Sequence, residues 1–448
     1  MEEKRKALLL SVPICVHLWF KFLEASVVTL RILDSDAPDS APGPFAAVEA
    51  RLLRELDTGE AGVANALDAL FSAAVRHGVG DIHIEPWADA TSVRWRVDGL
   101  LHEVARLPRQ HHAKIAARTK ILAKITVYQR DVPQDGRIDA DATPCGQAMR
   151  VSLFPTVHGE KIVVRVLGAQ GEIPALDALG FDAAIATRLR EIVARPQGTL
   201  LLTGPSSSGK TTTIYALLQE IARVRGRAAH IVTIEDPVEC KLPGVSQTQI
   251  APGSGFTFDA AFRAILRQDP EVIMLGEIRD AETARLAVQA GLTGHLVIST
   301  IHSGTAAGVF TRLLDMGIEP FLVASSVTGV LAQRLVRVVC PECRRRMTPP
   351  NDLCARYGAP EINGEWHEAI GCETCKGIGY TGRTAIGEAL RVNEELAELV
   401  LSRSRTRTVH DVALRQGMIP LERAALHCAA RGITTVEELQ RVLPPVEG

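Results

Sequence analysis

Two hydrophobic rhythms divide the chain. Between Ala46 and Arg76, Val48, Leu52, Leu53, Leu56, Val63, Leu67, Leu70 and Phe71 recur at helical spacing, the pattern of a helix with one buried face. Ile82 to Glu85 and Ser92 to Val97 read as strands, and the Asp98-Gly99 turn before the next apolar stretch predicts a hairpin. Ala113 to Ile125 reads as helix and Asp135-Gly136 as a second turn. Met149 to Phe154 and Lys161 to Leu167 read as paired strands around His158-Gly159. This is a self-contained α+β unit, linked onward by Gly168 to Asp177. From Leu179 the rhythm changes to strands alternating with helices, which predicts an α/β unit on a parallel sheet. Its strands are Leu200 to Thr203, Ala229 to Ile234, Val272 to Leu275 and His295 to Ser299. The last three run into Glu235-Asp236-Pro237, Gly276-Glu277 and Thr300-Ile301-His302. Open α/β sheets bind ligands beyond the carboxyl ends of their strands, so one shared site is expected there.

Composition narrows the function classes. A length of 448 residues suggests roughly three domains, and 46% apolar residues allow ample core. The net charge of −2 supplies no global field toward nucleic acid or lipid. Aromatics at 4% argue against stacking platforms for single strands. Basic clusters at Arg334 to Arg346 and at Arg403, Arg405 and Arg407 read as solvated helix faces. No run reaches the ~18 apolar residues of a membrane span. Ala7 to Phe20 comes closest, contains Pro13 and His17, and reads as an atypical N-terminal segment. Asp34 to Pro44 reads as a linker.

The candidate chemistry centres on Gly204, Pro205, Ser206, Ser207, Ser208, Gly209, Lys210, Thr211 and Thr212. They complete the P-loop pattern G-x-x-x-x-G-K-[ST] between an apolar strand and a helical stretch, Thr211 to Ile221. Backbone N–H groups and the helix dipole there favour phosphate. Lys210 can reach the β/γ-phosphates of ATP, and the Thr211 hydroxyl can ligate Mg²⁺. Glu235, Asp236, Glu239 and Glu277 supply the carboxylates that phosphoryl transfer needs near its metal and its water. His295 and His302 flank the last strand and are weighed evenly between structural and site roles. Arg94, Arg96, Arg130, Arg137, Arg150 and Arg165 are scattered over the first unit, as surface charge or, for one or two, as arginine fingers.

Four of the nine cysteines form two C-x-x-C pairs, Cys340/Cys343 and Cys372/Cys375. Paired thiolates at that spacing suit tetrahedral Zn²⁺. Cys15, Cys145, Cys240, Cys354 and Cys428 have no such partners and read as packing residues.

Long stretches of the chain resemble the type II secretion and type IV pilus assembly ATPase family. They include DIHIEP at Asp81 to Pro86, VRWRVDGLL at Val93 to Leu101, VPQDGRI at Val132 to Ile138 and HGEKIVVRVL at His158 to Leu167. The P-loop, IEDPVE at Ile234 to Glu239, ILRQDPEVIMLGEIRD at Ile265 to Asp280 and LTGHLVISTIH at Leu292 to His302 continue the match. AQRLVR, the cysteine pairs, GRTAIGEAL at Gly382 to Leu390 and GITTVEELQRV near the end extend it. The run Glu319 to Arg337 resembles the secretion branch more than the pilus branch. The resemblance implies a RecA-like motor domain at 171–336 behind a PAS-like α+β domain at 45–170. A zinc-binding helical module would follow at 337–448, and a divergent segment would precede at 1–44. It implies a cytoplasmic homohexamer at the inner membrane, peripheral through cytoplasmic domains of the secretion platform, driving pseudopilus assembly. Glu239 would be the general base, Glu277 the Walker B residue on Mg²⁺, and His302 would end the His box. Arg96 and Arg137, both in matching stretches, are expected to complete the nucleotide site. A non-hydrolysing scaffold and a nucleic-acid translocase are the readings from other classes.

The chain also departs from the family pattern. Ser206 and Ser207 replace the usual Thr and Gly, so serine would strain the loop if position 207 requires positive φ. Gly80 replaces a serine. The platform-docking domain is expected to be shortened or absent before Ala46.

Overall fold

The computed structural model describes residues 45–167, 173–226, 229–251 and 254–443. The expected linker at Asp34 to Pro44, the stretch Ala7 to Phe20 and Cys15 lie outside the described residues.

The first helical rhythm resolves into α1 (Ala46–Leu56) and α2 (Gly62–Arg76), separated by a short 3₁₀ turn. Strands β1 (Asp81–Pro86), β2 (Ala90–Val97) and β3 (Leu100–Pro108) follow, then α3 (His112–Leu122), β4 (Gln134–Ile138), β5 (Met149–Thr156) and β6 (Gly159–Val166). The strands form one antiparallel sheet in the order β3-β2-β1-β6-β5-β4. Trp95, Phe71, Ile82 and Met149 are fully buried in its core. The Phe45 ring meets Trp95 edge-on at 5.3 Å. One sequence expectation is corrected here: Asp135-Gly136 is not a turn but the middle of β4, opposite Ser152 and Val151. Glycine is needed there for close approach, since a Cβ at 136 would lie 2.5 Å from the Ile125 side chain and 2.6 Å from the Ala123 carbonyl.

The second sheet holds seven strands in the order β15-β12-β7-β11-β10-β8-β9. Its elements begin with α4 (Ala183–Val193), β7 (Gly198–Thr203), α5 (Lys210–Arg225), β8 (Ile231–Glu235), β9 (Ser246–Gln249) and α6 (Phe258–Ile265). They continue with β10 (Val272–Ile278), α7 (Ala281–Leu292), β11 (Leu296–Ile301), α8 (Gly308–Asp315), α9 (Pro320–Ser326) and β12 (Val327–Val339). The five strands β7 to β11 and β12 pair in parallel, and only β15 runs antiparallel. Both faces are covered, which is why these strands read as unbroken apolar runs. Leu200 and Leu202 join a core with Leu189 of α4 and Leu217 of α5. Leu201 points the other way, into a core with Phe262 of α6 and Val288 of α7.

The sheet does not stop at residue 336. β12 runs past it, and after β13 (Arg344–Arg346), α10 (Leu353–Arg356) and β14 (His367–Ala369), β15 (Tyr380–Arg391) returns to pair with β12. Helices α11 (Glu394–Leu401), α12 (Thr406–Arg415), α13 (Leu421–Ala430) and α14 (Val436–Val442) then add Leu396, Val412, Leu426 and Leu439 to the core that holds Leu201. The C-terminal residues therefore add a strand to the second sheet and pack on its core. The basic cluster at Arg334 to Arg346 is also not a solvated helix face. Arg337 lies on β12, only 6% exposed. Its guanidinium stacks 3.7 Å from the Tyr380 ring centroid and bonds Glu438 at 2.8 and 2.9 Å. Burial alone would raise the Glu438 carboxyl, but the bonds from Arg441 and Arg337 hold it below the usual carboxylate range.

Candidate functional site

The phosphate loop spans Gly204 to Gly209, between β7 and α5, with Lys210 and Thr211 in the first turn of the helix. Gly204 is at φ +147, and a Cβ there would sit 2.4 Å from the Gln333 carbonyl of β12. Lys210 Nζ donates to the carbonyls of Gly204 at 2.9 Å and Pro205 at 2.8 Å. Burial pushes its ammonium below the usual lysine range; Glu277 opposes this and Arg334 adds to it. Gln333 Nε2 braces the loop from behind by donating to the Ser208 carbonyl at 2.7 Å.

Ser207 sits at φ +60, so the loop does require the left-handed conformation at the position where serine replaces glycine. A non-glycine residue there costs about 1 kcal/mol or more. Ser207→Gly is expected to raise unfolding stability by roughly 0.5–1 kcal/mol after glycine's own chain-entropy cost. Denaturant unfolding of the two proteins side by side checks this; an unchanged or lowered midpoint contradicts it.

A cleft of about 440 Å³ opens over the loop, within the roughly 300–1,000 Å³ of ligand sites. Ser206, Ser207, Lys210, Thr211, Glu239 and Glu277 all line it. The shared site expected at the strand ends is thus assembled from β7, β8, β10 and β11. Glu277 accepts from Arg279 Nε at 2.8 Å and pairs with His302 Nε2 at 2.7 Å. His302 therefore belongs to the site, whereas His295 faces away and bonds the Ala290 carbonyl. Glu239 is open to the cleft yet crowded by protein on its other sides. That crowding raises its carboxyl above the usual range; Arg165 opposes, the charge of Glu235 adds and Arg150 opposes. Glu235 itself is 2% exposed and accepts from Thr233 Oγ1 at 2.5 Å and Gln247 Nε2 at 3.1 Å. It anchors the floor of the cleft, which it also lines.

The residues present suit a nucleotide with Mg²⁺. Ser208 Oγ is buried within the phosphate loop with no hydrogen-bond partner among the described residues, an orphaned polar atom at the anion-binding turn. Thr211 and Glu277 offer the hard oxygen ligands Mg²⁺ requires.

Arg137 stays on β4, beside Asp139 at 3.8 Å, and does not line the cleft. Arg165 of β6 does line it. Arg96 reaches a neighbouring cleft of about 550 Å³ that it shares with Ser206, Ser207, Ser208 and Arg165. There Arg96 sits 3.6 Å and Arg165 2.7 Å from Asp81, so one carboxylate orients both. Nothing in local sequence distinguished Arg165 from Arg137, although both lie in matching stretches.

Cys340, Cys343, Cys372 and Cys375 converge with all four Sγ atoms within 4.8 Å of one another. The separations of 3.9, 3.7 and 3.7 Å approach the ~3.8 Å edge of a tetrahedron with Zn–S bonds of about 2.3 Å. Backbone N–H groups of Gly371 and Gly379 donate to Cys343 and Cys375 at 3.2 and 3.1 Å, the kind of support thiolate ligands use. The second knuckle also touches the first unit: Lys376 bonds His77 at the end of α2, and Ile378 packs on that unit's core. One Zn²⁺ per chain is expected. Cys340→Ser should lose the metal, destabilise the segment by a few kcal/mol and expose 340–379 to protease. Metal analysis of chelator-free protein checks the first point, and zinc-free wild type overturns it. The other described cysteines pack singly; burial pushes the Cys428 thiol up to about 11.

Among the described residues no helix is long and apolar enough to cross a membrane.

Known proteins resemble this chain in sequence and in fold. The profile of the family described as "Type II/IV secretion system protein" matches residues 57–441. Type II secretion system protein HxcR of Pseudomonas aeruginosa is 43% identical over 388 residues, covering 86% of this chain and 79% of that protein. Type II secretion system ATPase E of Vibrio cholerae is 42% identical over 384 residues, covering 86% and 76%. Type IV pilus assembly ATPase PilB of Thermus thermophilus is 39% identical over 419 residues, covering 93% of this chain but 46% of that protein. Among solved structures, the pilus retraction motor PilT with bound ADP superposes with a TM-score of 0.58 at 24% identity, covering 85% of this chain and 97% of that one. The Legionella pneumophila ATPase DotB reaches 0.61 at 19% identity, covering 84% and 94%. The structural likenesses show the fold shared with these proteins; the profile and the sequence identities go further, and the chain belongs to the type II/IV secretion system protein family.

Proposed function

We propose that the chain is an ATP hydrolase whose turnover drives pseudopilus assembly for type II protein secretion. The observation that carries this reading is a single cleft lined by the P-loop lysine, by Glu277 of β10 and by Glu239 of the loop that follows β8. The loop amides, the α5 dipole and Lys210 hold the β/γ-phosphates. Mg²⁺ between the Thr211 hydroxyl and Glu277 would offset phosphate charge and fix its geometry. Glu239 takes the proton of the attacking water as the new P–O bond forms at the γ-phosphorus and the bond to the β-phosphate oxygen breaks. His302 holds Glu277 through its Nε2 bond. Arg165 and Arg96, from the first unit, offset charge at the loop's other side.

The motor acts as a homohexamer, peripheral to the inner membrane through cytoplasmic domains of the secretion platform, with no role for nucleic acid. Residues 45–170 act as nucleotide cover and 171–336 as motor, while 337–448 add a zinc-braced support continuous with the motor's sheet. Purified hexamer should release phosphate from ATP, and faster with the cytoplasmic part of its membrane partner. Tight ATP binding without phosphate release would favour a scaffold instead. The 39% identity to a pilus assembly ATPase over 93% of this chain keeps pilus assembly as a second reading. Genes beside this one, encoding an export channel or a pilin, separate the two.

A further inference from the structure

Tyr215 lies on α5, five residues beyond Lys210, and is 1% exposed. Its hydroxyl donates to Glu235 Oε2 and accepts the backbone N–H of Glu239 at 3.3 Å. The same hub extends through Gln247. Its Nε2 donates to Glu235 and to the Cys240 carbonyl at 2.9 Å, and its Oε1 accepts the Leu242 N–H at 2.6 Å. The chain from Asp236 to Leu242 is thereby pinned along its length, and the phenol is its tie to the helix that starts in the phosphate loop. Among the described residues no ion pair joins Glu235, so three neutral donors carry the whole burden of its buried charge. A phenylalanine would fill the same volume; only the hydroxyl makes these bonds.

We infer that Tyr215 is a positioning residue for hydrolysis, its hydroxyl registering the Glu239 backbone against the phosphate-binding helix. The inference rests on the reading of Glu239 as general base. Burial, and after it the hydrogen bond to Glu235, push the phenol well above its ordinary range, so it stays a donor at any working pH. Tyr215 and Thr211 are four residues apart on one helix and lie on one face of it. The hydroxyl therefore spans from the side of α5 that carries the proposed Mg²⁺ ligand to the loop that carries the proposed base. Positional tolerance in such a step is small: about 1 Å of misplacement costs on the order of 100-fold in rate.

Tyr215→Phe in the full chain is the test. Its kcat is expected to fall on the order of 10- to 100-fold while KM and the affinity for a fluorescent ATP analogue hold. Its acid limb should move as well. Glu239 faces Glu235, Arg165 and Arg150, with Asp236, Glu277 and His302 around the cleft. A loosened loop lets its carboxyl fall back toward the ordinary range, so the limb of the kcat profile shifts to lower pH. In a Glu239→Gln background the Tyr215 substitution should cost little of the residual turnover, because no carboxylate remains to be placed. Thr233→Val removes a donor from Glu235 without touching Glu239 and should cost much less. Wild-type kcat with an unmoved acid limb in Tyr215→Phe overturns the inference. So do losses that add fully to those of Glu239→Gln, and so does a defect in folding or nucleotide affinity that Thr233→Val reproduces. Normal hydrolysis by Glu239→Gln alone would sink the general-base reading, a result separate from any of these.

Discussion

Replacing Lys210 by alanine is expected to remove ATP hydrolysis, by roughly 10²–10³-fold or more, and to leave the fold intact. The two consequences have different physical origins. Lys210 stands at the start of α5, and among the described residues its Nζ bonds the loop carbonyls of Gly204 and Pro205. Lys210 is only half-buried and its truncation removes no core contact, so the change costs about 1 kcal/mol of stability. The catalytic loss is larger because the ammonium is aimed where negative charge accumulates as the γ-phosphoryl group leaves. It acts from a partly buried position, where screening by water is reduced. Arginine should not rescue it: the longer planar guanidinium cannot occupy the space over the loop that a compact ammonium fills. Phosphate-release assays beside circular dichroism and a denaturation midpoint check both halves. Near-normal release by well-folded Lys210→Ala protein refutes the role.

The parts of this arrangement that were legible in the sequence are those whose physics is local. A phosphate loop needs a strand, small residues and a helix N-terminus in unbroken succession, and Leu200 to Ile221 supplies them. Strand ends carrying carboxylates are also contiguous, as at Ile234-Glu235 and Leu275-Gly276-Glu277. The cysteine pairs were legible because metal geometry imposes its own spacing. What was not legible depended on neighbours distant in the chain. Asp135-Gly136 has the chemistry of a turn, and only the closeness of Ala123 and Ile125 explains a glycine inside a strand. Arg137 and Arg165 look alike locally. Sheet order separates them: β6 is central, whereas β4 is the edge strand two positions away, roughly 10 Å further from the cleft. The same holds for residues past 336. Their pairing with β12 comes from a strand more than forty residues later, after the cysteine segment. Tyr215 has the spacing of a core residue on α5, and its hydroxyl gains meaning only through Glu235 and Glu239, which lie beyond the helix.

Glu239 and Glu277 line the same cleft, yet their surroundings assign them different work, and their glutamine variants are expected to fail differently. Glu277 is within β10, tied by Arg279 and His302 at 2.8 and 2.7 Å. A carboxylate held on a rigid strand with both oxygens fixed suits Mg²⁺, which tolerates little error in its ligands. Glu239 lies past Pro237 in the loop, its backbone tied to Tyr215 and its carboxyl in no ion pair among the described residues. Its raised pKa makes it a stronger base than an ordinary carboxylate. Because the base must be unprotonated to act, the rate should fall as pH drops through that raised value, above the usual carboxylate range. Glu239→Gln is therefore expected to bind Mg-ATP as tightly as wild type and to hydrolyse it about 10²–10⁴-fold more slowly, with that acid limb gone. Glu277→Gln should lose turnover too, but with nucleotide affinity that now depends on much higher Mg²⁺. Binding titrations across a range of Mg²⁺ concentrations, run beside phosphate release across pH, resolve the two. Identical behaviour of both variants in both assays would remove the ground for giving them separate roles. A Glu239 variant that retained the acid limb would move the base to another carboxylate of the cleft.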